Sequence, residues 1–211
     1  MPRQVTEMDS LNFVVFLGSS REGRMATRVG KYIRRLLEER NHNITIIDPL
    51  DVGLGQVISP LAFMPDPSEA PANVLEINKQ IQEADGFIII SPEYNATLPP
   101  ALCSMMDNIP PVSFAYRPSA IVTYSLGNFG GMRAGSHLRQ FLSDLTTISL
   151  PHIFMIPMVE QVLNENGEVL SRRTRMQKMS TILFNQLEWY SRALKNEKLE
   201  LGIPAPSGIG L

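Results

Sequence analysis

The chain has 211 residues, 44% of them hydrophobic and 19% charged, with a formal net charge of -2. That is enough for one large domain with a real core, and too balanced to give an electrostatic footprint for nucleic acid or an anionic membrane. No apolar run approaches the length of a membrane span, and the single cysteine, Cys103, has no internal disulfide partner, as suits a reducing compartment.

Residues 1–10 lack the apolar centre of a signal peptide and are expected to form a polar, flexible arm, so a cytoplasmic location is expected. The first strand is expected over 11–17, where Phe13-Val14-Val15-Phe16-Leu17 is apolar without interruption. Such a run fits a strand buried on both faces of a parallel sheet. It breaks into Gly18-Ser19-Ser20-Arg21-Glu22-Gly23-Arg24, and a helical pattern follows at once, with Ala26, Val29, Tyr32, Ile33, Leu36 and Leu37 at helical spacing. A strand, a Gly/Ser loop and a helix N-terminus together make an anion cradle: backbone N–H groups are freed, hydroxyls donate, and the helix dipole favours negative charge. Arg21 and Arg24 add positive charge with fork-shaped donors. The loop is expected to hold a phosphate, the alternative being a strand-to-helix turn that is merely polar.

The same residues exclude two other phosphate loops. The dinucleotide fingerprint needs a second glycine where Ser20 stands, and the nucleotide-hydrolase loop needs Lys-Ser/Thr where Arg24-Met25 stand. A terminal phosphate bound without a metal is the remaining reading. His42, His137 and His152 show no metal-ligand spacing, and no metal is expected.

The first helix is expected over 24–40, with Arg28, Lys31, Arg34 and Arg35 as a solvated basic face, and a second strand over 44–48. Residues 49–71 form a long connection punctuated by five prolines, of the kind that is functional or lies at an interface. A helix is expected near 71–83, a buried strand at 86–91, a rigid turn at Pro92-Glu93-Tyr94-Asn95 and a helix near 99–108. A fourth strand at 120–125 leads into Leu126-Gly127-Asn128-Phe129-Gly130-Gly131 and a helix over 131–144. A fifth strand near 153–158, a hairpin at 164–167 and a final helix over 171–195 complete the pattern, with about 197–211 as a flexible tail.

Strands alternating with helices indicate a single domain, 1–211, with a parallel sheet covered on both faces. In a 2-1-3-4-5 order the loops 18–24, 91–97 and 125–131 share one edge, where such sheets bind ligands. One loop suits a phosphate and the other two suit a flat ligand, so a phosphorylated planar cofactor is expected, and FMN fits.

Gly18-Ser19-Ser20-Arg21, Pro92-Glu93-Tyr94-Asn95 with Pro99, and Gly127-Asn128-Phe129-Gly130-Gly131-Met132-Arg133-Ala134 together resemble the NADPH-dependent FMN reductase family over about residues 11–160. That family, which includes quinone, azo-dye and chromate reductases, has a flavodoxin-like fold. The resemblance implies that Ser19, Arg21, Arg24, Met25 and Ala26 bind the FMN phosphate, and that Pro92, Glu93, Tyr94 and Asn95 line the ring and ribityl chain. It further implies that Ser125, Gly127 and Gly130 close over the ring's other edge, and that the chain is a homodimer or homotetramer. The chain departs from the family at Pro100, at Cys103-Ser104 and at Asn108, on a helix that would shape packing or the subunit interface.

The implied reaction passes a hydride from NADPH or NADH through FMN to a quinone, free flavin or azo acceptor, with no residue assigned to catalysis because the cofactor carries the chemistry. Arg117 and Arg133 are both candidates to meet a 2′-phosphate. A flavodoxin-like electron carrier and a non-catalytic FMN-binding regulator are the alternatives.

Overall fold

A computed structural model describes residues 10–53 and 57–204. The N-terminal arm up to residue 9, the end of the tail beyond 204 and residues 54–56 of the long connection lie outside the described residues.

The strands are β1 (Asn12–Leu17), β2 (Asn43–Ile47), β3 (Gly86–Pro92), β4 (Pro118–Tyr124) and β5 (Ile148–Ile156). They form one parallel sheet in the order β2-β1-β3-β4-β5, the expected one. Among the described residues seven α-helices connect or follow them: α1 (Ala26–Glu38), α2 (Ala72–Glu83), α3 (Pro100–Asp107), α4 (Pro111–Phe114), α5 (Met132–Asp144), α6 (Val159–Val162) and α7 (Arg173–Leu201).

The uninterrupted apolar runs are explained by burial on both sides of the sheet. Phe13, Val15 and Leu17 of β1 join Ile88 and Ile90 of β3 in a core closed by α1 and α7. The alternate residues Val14 and Phe16 join Phe87 and Ile89 in a second core closed by α2, α3 and α5. This is the flavodoxin-like three-layer arrangement, and it gathers the carboxyl ends of β1, β3 and β4 at one edge.

Several boundaries differ from the sequence reading. β5 begins at Ile148 rather than near 153 and runs through Pro151. β5 is an edge strand, and a residue without an N–H is tolerated where only one side is paired. The last helix continues to Leu201, past the expected end at 195. Leu199 and Leu201 are exposed there, so no apolar stripe marks the final turn. The short helices α4 and α6 were not expected.

The basic face of α1 is solvated at Lys31 and Arg34, the latter paired with Glu38 at 2.7 Å, but three of its four residues also hold a distant segment. Arg28 donates to the Leu163 carbonyl at 2.8 Å, Lys31 to that of Glu165 at 3.1 Å and Arg35 to that of Gly167 at 2.8 Å. Three consecutive turns of the helix thus hold the 163–169 hairpin, which an antiparallel bridge between Leu163 and Val169 closes.

Candidate functional site

A glycine follows β1 because nothing larger fits. The Gly18 N–H donates to the Ile90 carbonyl at 2.8 Å, and a Cβ at that position would stand 2.6 Å from the same oxygen. The close approach brings the loop after β1 against the end of β3, and Ser19 is completely buried there. Its hydroxyl lies 2.5 Å from the Tyr94 hydroxyl and accepts weakly from the Arg21 N–H at 3.4 Å. Arg21 then folds over Tyr94, its guanidinium carbon 3.5 Å from the ring centroid, a cation–π contact at the rim.

Tyr94 is carried by a two-residue hairpin in which Tyr94 and Thr97 exchange backbone hydrogen bonds at 3.0 and 2.9 Å. Asn95 and Ala96 at its tip both have positive φ, 49° and 64°, as a tight primed turn requires. Asparagine tolerates that conformation, while alanine adopts it at a cost that the surrounding structure must offset.

Glu93 turns away from the loop toward α5. Its carboxylate accepts the N–H groups of Arg133 at 2.9 Å and Ala134 at 3.4 Å and the Nε of Arg133 at 2.6 Å. Burial raises its affinity for a proton, but the hydrogen bonds from Arg133 and from both backbone N–H groups outweigh this and hold the carboxyl below its usual range.

These elements enclose a cavity of about 310 Å³ at the carboxyl ends of β1, β3 and β4. Of the sequence-derived residues, Ser19, Arg21, Arg24, Met25, Pro92, Glu93, Tyr94 and Ser125 line it. Ala26 is buried beneath the start of α1 and Asn95 projects at the hairpin tip. Gly127 and Gly130 brace the loop from outside the cavity. The Gly127 carbonyl accepts the Met158 N–H at 3.0 Å, the Gly130 carbonyl accepts the Thr123 hydroxyl at 2.7 Å, and Gly130, with φ 61°, has no room for a Cβ against Ile156 and Pro157.

Arg24 lines the cavity with its guanidinium already engaged. It donates to both carboxylate oxygens of Asp48, at 2.6 and 2.5 Å, and to the Ser19 carbonyl at 2.5 Å. Asp48, and with it Tyr124 and Leu126 of the cavity wall, escaped the sequence reading. Tyr124 stands at the end of β4, where its phenol is pushed far above its usual range by burial, reinforced by Tyr94. The signal for Tyr124 was available: it is the last strand residue before an expected ligand loop.

The donor set suits FMN. Helix α1 starts with no side-chain cap and no acid in its first turn, which leaves its leading N–H groups for an anion, with Ser19 and Arg21 beside them. Pro92, Tyr94, Tyr124 and Leu126 supply the apolar and aromatic walls that a planar ring needs. Among the described residues no three His, Cys, Asp or Glu side chains gather as a metal site would require, and no helix is long and apolar enough to cross a membrane. Cys103 is half-buried on α3, where burial pushes its thiol upward.

Comparison with known proteins gives the same reading. A quinone reductase of Escherichia coli (strain K12) is 29% identical over 171 residues, covering 79% of this chain and 88% of its own. An NAD(P)H:quinone oxidoreductase of Solanum tuberosum is 33% identical over 134 residues, 60% of this chain and 69% of its own. The structure of FerB, a flavoenzyme NAD(P)H:(acceptor) oxidoreductase from Paracoccus denitrificans, superposes with a TM-score of 0.67 at 21% identity, covering 86% of this chain and 98% of its own, and so shares the fold. The family model described as NADPH-dependent FMN reductase matches residues 11–161, and the chain belongs to that family of FMN-dependent oxidoreductases.

Proposed function

We propose that this enzyme passes electrons from NAD(P)H through FMN to a quinone, with loop 18–24 as the phosphate end of the site and the loops after β3 and β4 as its walls. The observation that carries this reading is the cavity itself, with an uncapped helix N-terminus, a buried serine and a rim arginine along one side and Pro92, Tyr94, Tyr124 and Leu126 along the other. FMN, when bound, supplies the hydride-accepting and electron-donating chemistry. The chain's own task is to hold the phosphate through Ser19, Arg21 and the first N–H groups of α1, to present Tyr94 and Tyr124 beside the flat ligand, and to tie the loops after β3 and β4 to each other through Glu93 and Arg133.

Of the two arginines Arg133 better suits a 2′-phosphate, because it opens α5 after the β4 loop and 61% of its side chain is exposed although it pairs with Glu93. Arg117 does not suit that role, being buried before β4 at the opposite end of the sheet. A homodimer or homotetramer is supported by the exposed apolar side chains on and just after the loop that follows β4, Leu126, Phe129 and Met132, with Phe129 72% exposed. A cytoplasmic location is supported by the lone, partly buried cysteine.

The test is the visible spectrum of the purified protein, recorded without oxygen before and after NADPH and again after a quinone. Flavin bands that bleach with NADPH and return with the quinone are expected. Bands that bleach and do not return would refute the quinone as acceptor, and absence of flavin after incubation with FMN would refute the site.

A further inference from the structure

We propose that Asp48 is a positioning residue for the phosphate end of the site: through Arg24 it fixes the loop after β1 in its binding shape. The inference rests on the reading that this loop takes the FMN phosphate.

Asp48 follows the last residue of β2, and the sheet order puts that strand end beside the end of β1. The carboxylate is anchored by its own turn, where Oδ1 accepts the Leu50 N–H at 3.0 Å and the Asp48 carbonyl accepts the N–H groups of Asp51 and Val52 at 3.0 and 3.1 Å. Arg24 meets both carboxylate oxygens with its two terminal nitrogens, and only 11% of the Arg24 side chain and 9% of the Asp48 side chain are exposed. Nη1 donates also to the Ser19 carbonyl, so a single rigid guanidinium plane joins β2 to the loop. In a trans peptide the carbonyl and the following N–H point in opposite directions, so this contact turns the Ser20 N–H away from the buried pair.

The pair also assigns the charges. Arg24 is matched by one carboxylate within the wall, which leaves the phosphate to Arg21, Ser19 and the start of α1. For Arg24 to swing onto a phosphate it would have to leave the buried Asp48 carboxylate without its countercharge, an outcome that buried ion pairs strongly oppose.

The proposal makes a prediction opposite to that of simple charge counting. Removing an acid near an anion site should tighten anion binding, whereas removing a positioning group should weaken it. The experiment titrates the full-length apoprotein, as wild type and as Asp48→Asn, with FMN and with riboflavin. The expected result is at least a tenfold loss of FMN affinity with riboflavin affinity changed less than threefold.

Tighter FMN binding in the variant would overturn the proposal, because Asp48 would then be competing with the phosphate for Arg24. An equal loss for both ligands, or no loss for either, would overturn it by making Asp48 merely structural or idle. A wild type that binds FMN and riboflavin alike would instead overturn the phosphate reading beneath it. Arg24→Lys, which keeps the charge but not the fork, is expected to show the same selective loss and carries the test if Asp48→Asn does not fold.

Discussion

Glu93 and Arg133 meet twice: the carboxylate accepts the Arg133 guanidinium through Oε1 and the Arg133 backbone N–H through Oε2. Helix α5 begins after Gly131, a left-handed residue with no side chain to serve as a cap. A carboxylate from the end of β3 supplies what the helix's own sequence lacks, and its charge lies at the favourable end of the helix dipole. One contact therefore fixes both the wall after β3 and the wall after β4.

This pair predicts a pH dependence of known sign. The Glu93 carboxyl is held below its usual range in the folded state, so its contribution is fully present above the ordinary carboxylate value of about 4.3 and is lost as pH falls through the lower folded value. Glu93→Gln is expected to lower stability by about 1 kcal/mol at pH 7, a modest figure because Arg133 is largely in solvent. Thermal melts of both proteins from pH 7 to pH 3 provide the check. The gap should narrow in acid, and a gap unchanged at pH 3 would show that the carboxylate's charge is not what caps α5.

Gly18→Ala is expected to destabilise the protein by about 1–3 kcal/mol, since the new methyl must displace the Ile90 backbone, 2.6 Å away, and not a flexible side chain. Urea unfolding measures this loss. FMN affinity should fall with it, because the same displacement shifts Ser19, the next residue.

Where the sequence was readable and where it was not follows from the range of the interactions. The runs Phe13–Leu17 and Phe87–Ile90 announced a doubly covered sheet because burial on both faces leaves no alternation to miss. Loop 18–24 was readable as a polar strand-to-helix turn because Gly18, Ser19 and Arg21 fall within four consecutive positions. Asp48 was not, because its partner lies 24 positions earlier and the two meet only once β2 pairs with β1. The ties made by Arg28, Lys31 and Arg35 were not legible for the same reason: their acceptors are carbonyls more than 130 positions away, which have no sequence signature. Gly127 and Gly130, which the resemblance places over the ring's other edge, have their carbonyls engaged by Met158 and Thr123, partners no sequence pattern marks.

Arg117 offers a control far from the cofactor. It precedes β4, a strand of seven residues whose other end carries Tyr124, so it lies roughly 20 Å from the cavity. Its guanidinium donates to the carbonyls of Gln82, Ala84, Ser113 and Ala115. Arg117→Ala leaves these carbonyls without their donor and is expected to cost about 3 kcal/mol of stability. In protein that remains folded, FMN affinity and the preference between NADPH and NADH should be those of the wild type. A changed preference would return Arg117 to the site.

Ser19→Ala combined with Arg21→Ala tests the phosphate assignment. Ser19 lies buried in the wall of the cradle and Arg21 at its exposed rim, and neither is committed to a carboxylate as Arg24 is. Two hydrogen bonds to a charged group, each contributing about 1.5–3 kcal/mol, are removed together, so FMN affinity should fall at least a hundredfold. Riboflavin serves as the internal reference, because it shares the ring and the ribityl chain but not the phosphate. Loss of the Arg21–Tyr94 contact could loosen the hairpin and weaken both ligands, and the measured ratio of the two affinities separates that effect from loss of phosphate binding. A variant that folds and binds FMN as tightly as the parent would place the phosphate elsewhere on the protein.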